Sequence, residues 1–581
     1  MARQEVEQIT PVNQPDQEKK DLFFNKKLRR IAVGVSIPVT LFVTGLFLNH
    51  ASNASAETSS TTSTTVLASK DLLTPDISTS NSVQTTTTTT EAPKIVKAAA
   101  VPVFGNQEST TSTTTEQDIQ TVEVDAVVYG NNIDGAGVIR ATEMTPDSTS
   151  RLKVAYIGTA TYPQAPFTNG LSIEDVYGGD QVSSGFYKQI RGAIINDYKS
   201  YKLNADKNGR LKYEPQEAKD VLNYFTQRPN VTYYSAELVS ASDQNGESYV
   251  IIKTDDGKEI KLKTKYFVDA SVEGDLARKL GASYKIGTTE NVYNDVTGQK
   301  PAVPSAENNY NTAPEAPSEL LTLKVYPKGK KAPLVKNQDF GSLYIHGSYN
   351  AADFAGYDPK TFAKSWSMNT AVLPDMSNKS YDKRELNEAQ TDYMSPVDAQ
   401  RYVLGTSADR ADVRIKAISR AINFVRFLQE HGYSNIGIAN VNPTLYDRGD
   451  LRIVGEETYT QQDIINNVQS QVIATGCYSL YDRHDAYLGP SNYGTANVSV
   501  PLGSIKVPGH PNLLVSSAIS TTEQAYNSSV RMESTRANIG YAAGAMLELA
   551  KEKGFVSLDS LDYTNDIAPR LIQLGSDLDL K

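Results

Sequence analysis

Val122-Glu123-Val124-Asp125-Ala126-Val127-Val128-Tyr129-Gly130 runs directly into Asn131-Asn132-Ile133-Asp134-Gly135-Ala136-Gly137, and the reading of this stretch decides the fold. Its β-branched, apolar opening predicts one buried parallel strand. A glycine turn follows, Val138-Ile139-Arg140-Ala141 begins a helical pattern, and Lys153 to Ile157 supplies a second apolar strand. Strand, glycine turn, helix and strand in so short a span form the dinucleotide-binding arrangement. There a helix N-terminus offers N–H groups and the positive end of its dipole to a pyrophosphate. The turn is irregular: Gly130 and Gly135 hold the outer glycine positions, but Asn132 takes the second, where backbone and pyrophosphate come closest. Asn tolerates left-handed backbone, yet its Cβ and amide intrude where Gly leaves space. The second strand closes on Gly158-Thr159, with no Asp or Glu to hold a ribose. Taken alone, the unit reads equally as a nucleotide site or as a purely structural βαβ unit.

The 581 residues exceed what one core usually serves, so two domains plus tails are expected. Net charge is −10 and no long basic run occurs beyond the first thirty residues, which argues against a nucleic-acid partner. The single cysteine, Cys477, excludes an internal disulfide and a cysteine metal cage; it reads as a small core residue. No metal-ligand spacing is visible. Near the start, Lys26, Lys27, Arg29 and Arg30 precede an apolar run from Ile31 to Leu48, and Ala54-Ser55-Ala56 offers small residues for cleavage. That pattern predicts a signal peptide, or a membrane anchor through residues 31–48 if the segment is not cleaved, and an extracellular or cell-surface location. Glu57 to Glu116 is rich in Ser and Thr and too poor in apolar residues to order itself, so it reads as a stalk.

Downstream, Tyr266-Phe267-Val268-Asp269-Ala270-Ser271-Val272-Glu273-Gly274-Asp275-Leu276-Ala277 resembles the DATGDGDLA-like strand and turn of FAD-dependent oxidoreductases, flavoproteins of the two-dinucleotide-binding-domain type. Tyr446 to Gly455, Asp482-Arg483-His484, Val500 to Ile505, Asn512 to Val515, Ser529 to Met532 and Gly540-Tyr541-Ala542-Ala543-Gly544 resemble further segments of that family, in family order. The resemblance implies an α/β fold: a Rossmann-like FAD-binding domain from residues 121–286 and 491–581, with an inserted α+β substrate or cap domain at 287–490. Ahead of these lie the signal or anchor segment (1–56) and the disordered stalk (57–120). It also implies FAD as cofactor and a small organic substrate. Cofactor contacts would fall at Gly130, Asn132, Gly135, Gly158, Thr159, Asp269, Ala270, Ser271, Gly540, Ala543 and Gly544. The departures cluster at cofactor-facing positions: Asn132, Gly158, Gly449 and Asp450, and Ser516-Ser517-Ala518 in place of Ala-Gly-Arg. They allow weakened or rearranged FAD binding, or a scaffold that has lost flavin and serves as a non-catalytic surface binding or adhesion protein.

Three residues are candidates for chemistry. His484, in the D-x-H element, can transfer protons or orient substrate. Arg448, with Arg452 beside it, can hold a carboxylate in a bidentate grip, or form structural salt bridges. Arg531, at the expected start of a helix running to Lys551, can meet flavin carbonyls or substrate. A further helix is expected from Asp412, as its cap, to Gln429, because Ile415, Ile418, Ile422 and Val425 recur at helical spacing.

Overall fold

The apolar run that opens the domain is broken in two. Gln120–Glu123 forms an edge strand, β1, and Ala126–Tyr129 forms the fully buried β2. Asp125 lies between them, its carboxylate accepting the Lys153 N–H at 2.9 Å. The computed structural model describes residues 119–143, 151–159, 166–168, 170–176, 183–197, 209–244, 246–286, 317–336, 339–340, 349–373, 380–392, 395–442, 444–449, 451–482, 491–522 and 525–579. The signal or anchor segment, almost all of the stalk, and His484 lie outside these residues. The chain divides into two units, Met1–Ile95 and Val96–Lys581, and every described residue belongs to the second. No helix among the described residues is long and apolar enough to cross a membrane.

After β2 come helix α1 (Ile133–Ala141) and β3 (Val154–Gly158). Helices α2 (Gly185–Asp197) and α3 (Pro215–Thr226) lead to β4 (Val231–Ser242). The chain then runs through β5 (Tyr249–Thr254), β6 (Glu259–Lys263) and β7 (Tyr266–Asp269), and β8 (Leu513–Val515) returns from the C-terminal part. The sheet order is β1-β6-β5-β4-β3-β2-β7-β8. Strands β4, β3, β2, β7 and β8 are mutually parallel, while β4–β5–β6 is an antiparallel meander. Chain order reverses between β2 and β7, which makes that gap the switch point where such sheets bind ligands. The expected meander is present, and β4 serves it and the parallel core in succession.

A second core is formed by residues between Leu321 and Ile436. Leu321–Val325 pairs antiparallel with both Asp382–Leu386 and Ile436–Asn440. Over these strands pack Ile418, Ile422, Phe424 and Val425 of the long helix. Past α4 (Asp275–Leu280) and α5 (Pro396–Leu404), that helix, α6, spans Ser407–Glu430 and so begins before Asp412. Thr406 is its cap, in a capping box with Asp409, whereas Asp412 binds Arg401 at 3.0 Å. Val472–Asp482 pairs antiparallel with Ser491–Pro501, and on the first of these strands Cys477 is buried, its thiol pushed up to about 11 by desolvation.

Helix α7 (Glu533–Glu552) starts two residues later than Arg531, because Met532 is extended. It packs against α1 through glycines on both helices. A Cβ at Gly540 would lie 1.9 Å from the Asp134 carbonyl oxygen, one at Gly544 2.4 Å from that of Val138, and one at Gly137 2.4 Å from that of Ala537. Gly540 and Gly544 therefore serve helix packing, and neither they nor the buried Ala543, where the sequence placed cofactor contacts, are among the lining residues of the cavity described below. Gly540→Ala should lower unfolding free energy by about 3 kcal/mol, because backbone cannot yield as a side chain can. Gly192→Ala, at an exposed α2 position with nothing within 4 Å, should raise it by up to about 1 kcal/mol. Urea unfolding of the two variants checks both signs.

Candidate functional site

At the switch point two turns interlock. The Ala270 N–H donates to Tyr129 O at 2.7 Å and the Gly130 N–H to Ile157 O at 2.9 Å. Gly130 has φ +118, and a Cβ there would sit 2.4 Å from the Ala270 carbonyl carbon, so this position needs glycine. Asn132 is extended (φ −111, ψ −168), not left-handed, and it caps α1, which begins at Ile133 instead of Val138. Its Oδ1 accepts the Gly135 N–H at 3.0 Å and its Nδ2 donates to Ala270 O at 2.5 Å. The side chain read as an intrusion is thus a bracket between the two turns. Asp269 braces the second turn from behind, accepting from Ser271 N–H (2.9 Å), Ser271 Oγ (2.6 Å) and Ala277 N–H (2.8 Å). Burial outweighs these bonds and pushes its carboxyl up to about 6.

The lost ribose acid has a steric counterpart. A Cβ on Gly158 would lie 2.2 Å from Asn131 Cγ. Asn131 fills that volume and donates to Tyr233 OH at 3.3 Å.

Above these turns lies a cavity of about 960 Å³, lined by Tyr129 to Asn132, Gly158, Thr159, Ser271 and Glu273, and also by Tyr402, Leu404 to Ser407, Arg410, Ala411 and Asp447. Of the sequence-expected contacts, Gly130, Asn132, Gly158, Thr159 and Ser271 face it; Gly135, Asp269 and Ala270 are not among its lining residues. Gly135 is spent on the turn, since a Cβ there would meet Gly130 O at 2.1 Å. Five basic side chains (Arg278, Lys279, Arg410, Arg414, Arg536) share its wall with four carboxyls (Glu237, Glu273, Asp275, Asp447). Arg536 reaches the first turn of α1 and binds the buried Asp134 through Nε at 2.8 Å, with Nη2 on the same oxygen and on Ser517 Oγ. Facing this carboxylate, the guanidinium is held protonated well above its usual range despite burial.

One turn before Arg536 on α7, Glu533 belongs to a second cluster, and it gathers two of the residues singled out from the sequence. Arg531 donates to Tyr446 OH at 2.7 Å, and Arg448 donates to Ser318 Oγ at 2.5 Å while its guanidinium lies 4.3 Å from the Tyr446 ring centre. Tyr478 OH donates to Asp175 at 3.4 Å. Burial, then the nearby Asp175 charge, pushes the Glu533 carboxyl up to about 7. Burial also raises Asp175, against the pull of Arg531 and Arg210. Asp175 and Glu533 carry no motif of their own, so the sequence hid them.

The family model described as FAD dependent oxidoreductase matches residues 158–569. The chain belongs to the FAD-dependent oxidoreductase family. FAD is accordingly its cofactor. The match begins at Gly158, after the glycine turn and α1, where Asn132 departs from the dinucleotide pattern. A comparison with curated proteins finds no match. Among solved structures the chain is similar to L-proline dehydrogenase from P. horikoshii (16% identity, 30% of this chain, TM-score 0.18), of which it spans only 25%. It is also similar to the flavin-dependent brominase Bmp2 (10% identity, 78% of this chain and 84% of that one, TM-score 0.34). A third is the geranylgeranyl bacteriochlorophyll reductase-like protein of Thermoplasma acidophilum (10%, 78% and 83%, TM-score 0.30).

The described residues fit FAD. The cavity lies at the carboxyl ends of the parallel strands, its volume is at the upper end for such sites, and its basic wall suits a diphosphate. The misfit is local, at the α1 cap. Gly158→Glu alone should collide with Asn131, lower stability by about 2 kcal/mol and fail to tighten FAD binding. Combined with Asn131→Ala, the same change should bind FAD about tenfold tighter than Gly158→Glu alone, the gain from one charge-assisted ribose bond. Flavin fluorescence titration and urea unfolding read both quantities.

Proposed function

We propose that this chain is an exported FAD-dependent oxidoreductase that oxidises a small organic substrate at the Asp175–Glu533 cluster. When bound, FAD supplies the two-electron acceptor. The observation that carries the reading is the buried Glu533 carboxyl, raised towards neutrality at the start of α7 beside Asp175. Two carboxyls that repel each other's charge hold one proton between them near neutral pH, which is the state a general base needs. Glu533 accepts the proton from a substrate hydroxyl or amine as the adjoining C–H bond gives up its hydride. Arg448 and Arg531, fixed against Tyr446, orient the substrate. At the other end of the site, Glu237, at the cavity rim on β4, takes over the ribose hydroxyls from the missing acid at position 158. The cavity and the acid–base pair weigh against the non-catalytic surface-protein alternative. Export is supported by the basic flank before Ile31, the apolar run and Ala54-Ser55-Ala56.

The test is anaerobic bleaching of the FAD-loaded protein by a panel of small alcohols and amines. The rate with an active member should rise with pH through about 7. Glu533→Gln should abolish that limb and slow bleaching roughly 10²- to 10⁴-fold while FAD stays bound; unchanged bleaching in this variant would sink the assignment. Fractionation of cells making the full chain should place it outside the cytoplasm, and replacing Lys26, Lys27, Arg29 and Arg30 with Glu should retain it inside.

A further inference from the structure

Glu273 occupies the turn between β7 and α4, is 5% exposed, and lines the dinucleotide cavity together with Gly130, Asn132 and Ser271. Neither of its carboxyl oxygens receives a hydrogen bond from a donor group, and the one side chain within hydrogen-bonding reach, Asp447, is itself a carboxyl that can only share a proton with it. Of the charged and titratable groups around it, Arg410 offsets part of the charge of an ionised carboxylate but is committed elsewhere, and the others do not make up the rest. Asp447, on the loop before strand Leu451–Ile453, and Asp275, on α4, carry the same charge. Arg410, from α6, gives both terminal nitrogens to Asp275 at 2.7 and 2.8 Å and its Nε to Tyr402 O at 2.8 Å. Arg278 is bound to Asp275 as well, and Arg414 donates to Asn442 O at 3.0 Å. Tyr402, on α5, and Asp269, at the end of β7, add no positive charge. An ionised Glu273 would be a desolvated carboxylate beside two others, at a cost that a single proton removes. Burial first, and Asp447 second, push its pKa well above the usual carboxylate range.

A neutral acid here also answers a shortage. A diphosphate only accepts hydrogen bonds, and at the α1 turn the Gly135 N–H is already taken by Asn132. We propose that Glu273 faces bound FAD as a neutral carboxylic acid and donates a hydrogen bond to a diphosphate oxygen, so that cofactor binding is linked to one retained proton. The inference rests on the FAD reading of the cavity. With the proton in place the wall holds five cations against three carboxylates, instead of five against four.

The experiment is FAD titration of the full chain by flavin fluorescence across roughly pH 5 to 9, the range buried carboxyls reach, for wild type and Glu273→Gln. Above the Glu273 pKa the wild-type Kd should rise up to about tenfold per pH unit, as one linked proton requires. Glu273→Gln keeps a neutral donor and should bind FAD with little pH dependence. A second readout needs no FAD. A carboxyl whose folded pKa is raised loses stability as pH climbs from its unfolded value towards its folded one, so the Tm advantage of Glu273→Gln over wild type should grow with pH. Equal pH slopes of Kd in the two proteins would overturn the inference and point to Asp269 or Glu533; a Tm difference that does not change with pH would overturn it too. Wild-type FAD binding that is tight but flat with pH defeats this inference alone. No binding at any pH defeats the FAD reading and this inference with it.

Discussion

Where β2 ends, the protein allows backbone to touch backbone, and the site is built around that contact. Gly130 lies against the Ala270–Ser271 peptide with no room for a Cβ, which fixes the distance between the two turns that floor the cavity. Asn132 then ties them by an amide with one end on Gly135 and the other on Ala270. Behind them, Gly540 meets the Asp134 carbonyl in the same manner, so the position of α7 is fixed by the position of the turn. Because α7 carries Glu533 and Arg536, both the Asp175–Glu533 carboxyl pair and the Asp134–Arg536 ion pair inherit this register.

The second organising element is charge buried in pairs. Asp134 with Arg536 and Glu174 with Arg191 (2.5 Å) are removed from bulk water, while Asp275 with Arg410 is half-buried. Breaking either fully buried pair leaves an uncompensated charge, costing about 3–5 kcal/mol, so these pairs specify geometry more than they add stability. Asp134 also sets a negative charge in the first turn of α1, where the helix dipole favours one. The ligand therefore meets a helix end already partly neutralised, and its affinity depends on the remaining donors along the wall.

Much of the architecture was legible in the sequence because it follows short periods. The β-branched run, the meander turn at Gly257, the apolar spacing of Ile418, Ile422 and Val425, and the glycines of α7 each speak locally. Local boundaries were misread where one side chain decides them: Asp125 splits the first strand, Thr406 pre-empts Asp412, and Asn132 starts α1 early. The site was legible only in its floor. Asp134 and Arg536 meet across 402 positions, and Glu273 and Asp447 come from different parts of the chain. No spacing rule joins such residues; only the folded sheet does. The Asn131–Gly158 complement is of the same kind, since a missing acid and a surplus amide look unrelated until β2 and β3 lie side by side.

Strand β1 has a topological consequence. It runs parallel to β6, which through the meander runs in the same direction as the core strands, so Gln120 lies at the amino edge of the sheet. The cavity opens at the opposite edge. Gln120 thus lies at the edge of the sheet remote from the ligand's entrance, on an outermost ladder, so tension applied to it would reach β1 before any residue that touches a ligand.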